Sequence, residues 1–269
     1  MNRDGAQTGS VEVATEAHRR SERVTRHRLL RGDSMGRISL SVGRGLPDLL
    51  PALRLVHDSY VGLGLIDFHP SGLRLLPHHL LPETRVFLAR EWDEVVATIT
   101  LIPDSPLGLP LDEAYLDEVN GLRKNGRKVA ELSCLALAPR YRRHDVLLYL
   151  FRLMHDYARR VKYDDLCVVV APKHGRFYHD ILLFEPFGEF AHLNRLNGAP
   201  AILFRQNLRT IEEATRRFYD GADSKSDLYE FFFAAAPTRD ECDGWGRALR
   251  EEEVRALTEV YPELVPESR

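Results

Sequence analysis

Residues 128–163 constrain the fold more than any other part of this sequence. The run VAELSCLALA is apolar except at Glu131 and Ser133, and Pro139 follows it directly. A segment from about Asp145 to Lys162 then carries apolar residues at helical spacing. This pattern predicts a buried strand that leads straight into a long amphipathic helix.

The turn between this strand and helix is basic. It contains Arg140, Arg142, Arg143 and His144. The start of a helix offers free N–H groups and the positive end of a dipole, so such a turn can bind phosphate or a carrier of a thioester. Spacing alone equally allows an ordinary strand–helix unit with a solvated arginine cluster.

The segments on either side alternate between strand and helix patterns. Strands are predicted at residues 37–42, 85–90, 95–102, 166–170 and 199–208, and helices at residues 48–65, 111–123 and in a short stretch ending at residue 183. Residues 67–84, with several prolines and histidines, are predicted to form a loop. The alternation predicts an α/β or α+β sheet with helices on both faces.

Composition divides the chain into three parts. Residues 1–34 combine many arginines with few periodic apolar residues, which predicts a disordered basic N-terminal arm. Residues 35–209 carry the strand and helix patterns of the main domain. Residues 210–269 are predicted to be a C-terminal helical extension packed on that domain, because their apolar run LYEFFFAAA must be buried.

Charge and hydropathy exclude several classes of function. A net charge of −3 over 269 residues gives no overall field that would attract nucleic acid or a membrane. The sequence shows neither a membrane-spanning run nor a signal-peptide core. The three cysteines are widely separated, and the pairs His78/His79 and His174/His179 lack further ligands at suitable spacing, so we expect neither disulfide nor metal. A reducing, cytoplasmic location fits this pattern.

Five segments together resemble one known family. They are ATITLIPDSPLGLPLDEAY, GRKVAELSCLALAPRYRR, LLYLFRLMHDYARR, PKHGRFYHDILLFEPFGE and NGAPAILFRQNLR, in this order within residues 37–209. They resemble the long-chain N-acyl amino acid synthases of the FeeM type, relatives of the acyl-homoserine-lactone synthases with a GNAT acyltransferase fold. The expected architecture is therefore α/β (α+β), a GNAT-like mixed central sheet flanked by helices, with a C-terminal helical appendage.

The resemblance also implies a reaction without a bound cofactor. An acyl-phosphopantetheine thioester on acyl carrier protein would be the donor, an amino acid the acceptor, and an N-acyl amino acid the product, which is free to partition into a membrane. GNAT enzymes usually have small residues in the phosphate loop, whereas the turn from Arg140 to Asp145 has no glycine. This favours the single phosphate of the carrier protein over CoA, with Arg140, Arg142, Arg143 and His144 as its contacts.

Two other functions stay open. One is an acyl-CoA-dependent N-acyltransferase that acts on another small amine. The other is a catalytically silent regulatory protein of the same fold that binds the acyl chain or the carrier.

Glu131 is the candidate base for amide formation from a thioester. Burial in an apolar strand would raise its pKa, and Glu131-Leu-Ser133 resembles the E-x-S of the homoserine-lactone synthases; the alternative is an edge glutamate that points to solvent. Ser133 lies on the same face of a regular strand and would orient Glu131 or bind substrate. Cys134 is expected to face the opposite side and belong to the core.

Tyr178 is the candidate acid for the departing thiolate, by analogy with the GNAT tyrosine, and the alternative is a packed aromatic anchor. Leu183 stands where GNAT enzymes usually carry glycine. A backbone N–H of residues 133–136 is expected to stabilise the oxyanion. A long acyl chain also requires an apolar tunnel, which helix 49–65, the FFF segment and the last strand could line.

Overall fold

A single mixed sheet forms the centre of the molecule. The computed structural model describes residues 35–142, 145–221, 227–234 and 248–262, so the prediction for residues 1–34 lies outside it. The strands are β1 (Ile38–Val42), β2 (Arg85–Glu91), β3 (Glu94–Pro103), β4 (Val129–Leu137), β5 (Asp165–Val170), β6 (Glu185–Pro186), β7 (Ala191–Leu193) and β8 (Ala199–Asn207). Their order is β1-β2-β3-β4-β5-β8-β6, with β7 also paired to β8. Among these strands, β4 and β5 form the one parallel pair.

Helices cover both faces of this sheet, as predicted. They are α1 (Leu46–Gly62), α2 (Asp112–Lys124), α3 (Val146–Arg160), α4 (Ile211–Tyr219) and α5 (Glu251–Val260). On one face, α3 buries its apolar side against Leu132 and Leu166 of the parallel pair. On the other face, Val56 of α1 and Val119 of α2 belong to a second core. None of the described helices is long and apolar enough to cross a membrane.

The chain between β6 and β8 turns over a buried side chain. Residues 187–190 are not part of a strand, and the short strands β6 and β7 lie on either side of them. Gly188 explains the path, because a Cβ atom there would lie 2.7 Å from the Tyr115 ring. The Tyr115 hydroxyl donates to the carbonyl oxygen of Glu189 at 3.0 Å. The segment therefore folds over a buried tyrosine instead of extending as a strand.

The C-terminal region contacts the sheet through two separate segments. The apolar run predicted to be buried places Phe231 and Phe232 in the core beside α3. Leu257 of α5 packs into a third core with the first turns of α1. Tyr261 follows, and its ring stacks on His69 with the ring centroids 4.6 Å apart.

Candidate active site

The parallel strands β4 and β5 pair over only part of their length. Hydrogen-bonded partners run from Val129 opposite Asp165 to Leu132 opposite Val168. Both strands then continue, β4 to Leu137 and β5 to Val170, while they remain paired with β3 and β8 on their outer sides. A gap therefore opens in the middle of the sheet, and we call it the β4–β5 gap. Its edges carry backbone groups that can hydrogen-bond an extended ligand in the manner of an added strand.

Glu131 lies at the closed end of the β4–β5 gap. The residue is 1% exposed, and its Oε2 accepts a hydrogen bond from the Leu111 N–H at 2.7 Å. Burial raises the pKa of Glu131 to about 7, against the opposing effects of Arg195, the Leu111 N–H and the Ser133 side chain. The alternative of a solvent-facing edge glutamate is wrong. A carboxyl group that titrates near neutral pH has the property required of a general base.

A bulge in β4 changes which residues share the face of Glu131. The register with β3 shifts here, and Cys134 has a left-handed backbone with φ of 51°. Leu132 and Leu135 both pack on the α3 side, which leaves Ser133 and Cys134 together on the opposite side. The prediction that Cys134 faces away from Glu131 is wrong, because strict alternation fails at a bulge.

Ser133 is placed to interact with both of its neighbours on this face. Hydrogen bonding by its side chain lowers the pKa of Glu131 and of Cys134, in each case against the larger effect of burial. Burial raises the pKa of the Cys134 thiol overall, so the thiol keeps its proton. A neutral thiol is a weak nucleophile, and the arrangement therefore favours Ser133 as a partner of Glu131 over an acyl-cysteine intermediate.

Sequence reasoning missed two arginines and a tyrosine beside this acid. Arg195 Nη2 lies 3.8 Å from Glu131 Oε1, and Arg74 donates a hydrogen bond to the Arg195 carbonyl oxygen at 3.2 Å. Burial raises the pKa of Tyr60, the nearby Cys134 raises it further, and Arg195 and Arg74 lower it. These side chains come from three distant parts of the chain and lie close enough to influence one another.

Tyr178 lies on the α3 face, in the π-helical turn Phe177–Ile181. Its ring centroid is 5.9 Å from that of Phe151 and 5.8 Å from that of Phe184. Burial raises the pKa of the Tyr178 hydroxyl, so the group stays protonated at neutral pH. Tyr178 also raises the pKa of Tyr60, after the larger effects of burial and Cys134, although Tyr60 packs on the opposite face.

The turn that holds Tyr178 ends in a left-handed residue. Leu183 has φ of 57°, and the Phe184 N–H donates to the Tyr178 carbonyl oxygen at 2.9 Å. Glycine is usual at such a helix end because it adopts positive φ without a steric penalty. Leu183 adopts this conformation despite its side chain, and the turn that carries Tyr178 closes here.

The basic turn is partly engaged within the protein. Arg140 is half exposed, and its Nη2 lies 2.6 Å from Glu94 and 3.7 Å from Glu91 on the β2–β3 hairpin. Arg142 is exposed and forms no ion pair with any described residue. Arg143 and His144 lie outside the described residues. Of the two predicted phosphate contacts that the structure describes, Arg140 is therefore paired with acidic side chains, and Arg142 has a charge available to a ligand.

The histidine pairs do not form a metal site in the described part of the chain. No group of three or more His, Cys, Asp or Glu side chains there could hold an ion. His79 is instead a structural residue, because its Nδ1 accepts a hydrogen bond from the Leu76 N–H at 2.9 Å. Burial lowers the pKa of His79 to about 3, so the ring is neutral.

Comparisons with known proteins show what this chain is similar to. A family model described as N-acyl amino acid synthase FeeM matches residues 51–207. The structure of FeeM, an N-acyl amino acid synthase from uncultured soil microbes, is 25% identical, with a TM-score of 0.59, and the match covers 66% of this chain and 94% of that chain. The structure of the AHL synthase LasI is 14% identical, with a TM-score of 0.52, and the match covers 75% of this chain and 98% of that chain. This similarity shows a shared fold. A search of curated proteins found no match.

Proposed function

This chain belongs to the FeeM family of N-acyl amino acid synthases and is an N-acyltransferase, and we propose that it transfers a long-chain acyl group from acyl carrier protein to the α-amine of an amino acid. The observation that carries the proposal is Glu131, a buried acid with a pKa of about 7 at the closed end of the β4–β5 gap. An amino acid carries an ammonium group at neutral pH and must lose a proton before it can attack a thioester. A base held at that point supplies this step.

The other roles follow from what lies around Glu131. Ser133 would orient the carboxylate as it takes the ammonium proton. The free amine then attacks the thioester carbonyl, and a backbone N–H within residues 133–136, where the bulge interrupts regular pairing, would stabilise the oxyanion. When the C–S bond breaks, Tyr178 would donate a proton to the departing thiolate.

Arg195 and Arg74 support an amino acid as the acceptor. Arg195 Nη2 is 3.8 Å from Glu131, too far for a hydrogen bond, so the guanidinium group retains donors that a substrate can use. A carboxylate bound there would hold the neighbouring α-amine close to Glu131. Arg195 pairs with Glu113 through Nε at 3.2 Å, which leaves its Nη groups for a substrate carboxylate. Arg74 adds a second positive charge beside Arg195 and would also favour a substrate with a negative charge.

The basic turn supports acyl carrier protein as the donor. Arg142 offers an exposed charge in the turn before α3. Arg140, Arg143 and His144, its neighbours in the sequence, would also contact the phosphopantetheine phosphate and the acidic carrier. The turn has no glycine, so its backbone is less suited than a glycine-rich loop to the close approach of a CoA pyrophosphate. The cytoplasm is the proposed setting, since Cys134 and Cys167 are free thiols.

An apolar cavity supports a long acyl chain. The cavity lies one aromatic layer from Tyr178, behind Phe151 and Phe184. The Phe run and β8, two of the three walls expected from the sequence, line it, whereas α1 does not. We call it the acyl cavity.

The experiment supplies purified protein with a mixture of amino acids and either palmitoyl-acyl carrier protein or palmitoyl-CoA, and detects N-acyl products by mass spectrometry. Product from the carrier-bound donor supports the proposal and names the acceptor. Product from palmitoyl-CoA alone would overturn the assignment of acyl carrier protein as the donor. Equal acylation of amines that lack a carboxylate would overturn the assignment of an amino acid as the acceptor. Binding of acyl carrier protein without product would favour the regulatory alternative.

A further inference from the structure

The acyl cavity is apolar over almost all of its wall but contains two polar groups with unmet hydrogen bonds. It is enclosed by α3, the end of the Tyr178 turn, β8, α4 and the Phe run. Its lining includes Leu182, His155, Gln206, Thr215, Phe232 and Phe233. His155 and Gln206 are each 5% exposed. Among the described residues, neither His155 Nδ1 nor Gln206 Oε1 has a hydrogen-bond partner.

The orientation of the Gln206 amide is fixed by its other end. Gln206 Nε2 donates a hydrogen bond to the Leu182 carbonyl oxygen at 2.6 Å. A carbonyl oxygen can only accept, so the NH₂ group must be on that side and Oε1 on the other. Gln206 therefore presents an acceptor, and the missing partner must be a donor.

His155 adds a second polar atom to the same cavity. Its ring contacts Phe232 and Phe233 edge-on, at centroid distances of 5.6 and 5.4 Å. Burial, with a smaller effect of Arg159, lowers the pKa of His155 to about 3, so the imidazole is neutral. In a neutral ring, Nδ1 is either a donor or an acceptor, depending on the tautomer.

Polar atoms without hydrogen-bond partners in an apolar cavity indicate which groups its ligand should contain. Buried polar groups nearly always have partners, and one without a partner is unfavourable. A plain hydrocarbon chain would leave both atoms unmet. A keto oxygen has no proton and could not satisfy Gln206, whereas a hydroxyl group can donate to Gln206 Oε1 and also pair with His155 Nδ1.

We propose that the acyl cavity selects an acyl chain that bears a hydroxyl group, which donates to Gln206 Oε1 and pairs with His155 Nδ1. This inference rests on the proposed function, since it assumes that the acyl chain of the donor occupies this cavity. It narrows the proposed donor from any long-chain acyl group to one that carries a hydroxyl group.

The first test compares donors on the wild-type enzyme. Acyl carrier protein is charged with palmitate or with hydroxypalmitates that carry the hydroxyl group near the carboxyl end, in the middle or at the terminus, and kcat/KM is measured for each. A site built to bind a hydroxyl group discriminates against an analogue that lacks it, so we expect at least one hydroxylated donor to be favoured by about tenfold or more. Equal values for all donors, or a preference for palmitate, would overturn the inference.

The second test uses variants and the ratio of kcat/KM for the favoured hydroxylated donor to that for palmitate. Gln206→Met and His155→Phe each remove one polar partner at similar size, and each should lower the ratio by several-fold. Thr215→Val is the matched control, because the Thr215 hydroxyl lines the same cavity but already donates to the Ile211 carbonyl oxygen at 2.7 Å. An unchanged ratio in both partner variants, or an equal loss in the control, would contradict the assignment.

A binding measurement separates this inference from the proposed function. Thermal denaturation of the wild-type protein is followed with free hydroxypalmitates or palmitate, and again with Gln206→Met. A larger rise in Tm with a hydroxylated acid, lost in the variant, supports the inference even if no donor is turned over. Turnover of palmitoyl-carrier protein without any hydroxyl preference would leave the proposed function standing and refute the inference alone.

Discussion

Glu131 should make the folded protein less stable as pH rises towards neutrality, and Glu131→Gln should remove this dependence. In the folded state, burial keeps the carboxyl group protonated up to a pKa of about 7, whereas its ordinary pKa is 4.5. Between these values the folded protein binds more protons than the unfolded chain. Its free energy of unfolding therefore falls as pH rises through this interval and levels off above it.

The magnitude follows from the separation of the two pKa values. A rise from 4.5 to about 7 is about 2.5 pH units, and each unit corresponds to about 1.4 kcal/mol. The contribution of Glu131 should thus decline by roughly 3 kcal/mol across the interval. Glutamine has nearly the same shape, and its side-chain oxygen can still accept the Leu111 N–H, so the variant should fold.

The assay is urea denaturation of both proteins at intervals from about pH 4.5 to about pH 8. Subtraction of the two curves cancels the other titrating groups that they share. The wild-type free energy of unfolding, relative to that of Glu131→Gln, should fall by roughly 3 kcal/mol over this range. Parallel curves would refute the claim that Glu131 is buried with a raised pKa.

Turnover provides the second half of the same test. The wild-type kcat/KM should rise with pH to a plateau above about 7, because the base must be ionised. Glu131→Gln should lower kcat/KM by roughly 10²–10⁴-fold. If the stability curves differ as predicted but turnover survives, Glu131 is a buried acid without a role as base.

Three further predictions concern the groups around this acid and the donor. Arg195→Met should move the rise of kcat/KM to higher pH, because Arg195 lowers the pKa of Glu131, and steady-state kinetics should also show a higher KM for the amino acid. Tyr178→Phe should leave Tm nearly unchanged, because its ring contacts are kept, and should lower kcat about tenfold or more if the hydroxyl protonates the thiolate. Arg142→Gln should raise the KM for acyl carrier protein more than Arg140→Gln does, because the Arg140 charge already faces Glu94. Equal effects would contradict the claim that Arg142 is the more available charge.

The fold was predictable because its signals are local. The apolar strand and the amphipathic helix of residues 128–163 correspond to β4 and α3, and periodicity needs no knowledge of distant residues. Glu131 was visible for the same reason, since a lone carboxylate in an otherwise apolar strand violates the pattern of a structural strand. The position of Cys134 was not predictable, because a bulge depends on the register with β3.

The arginines beside Glu131 show the other limit of sequence reasoning. Arg74 lies in the loop of residues 67–84, and Arg195 follows β7, so neither is near Glu131 in the chain. Their proximity is set by how the loops cross the sheet, and no local pattern records that path. The one available signal was the unusual length and composition of the loop, because long loops in compact domains often carry functional residues.

The parallel pairing of β4 and β5 suggests how a thioester arm could reach Glu131 from the basic turn. In a sheet with a parallel pair, ligands bind beyond the carboxyl ends of the strands, where the following helix presents its N-terminus. β4 and β5 separate towards their carboxyl ends, and β4 leads into α3 through the basic turn. From the bulge at Cys134 to the end of β4 at Leu137, an extended strand covers roughly 10 Å, and the basic turn follows. A thioester arm laid along β4 would therefore place its phosphate at the turn and its carbonyl near the bulge, next to Glu131, the proposed base.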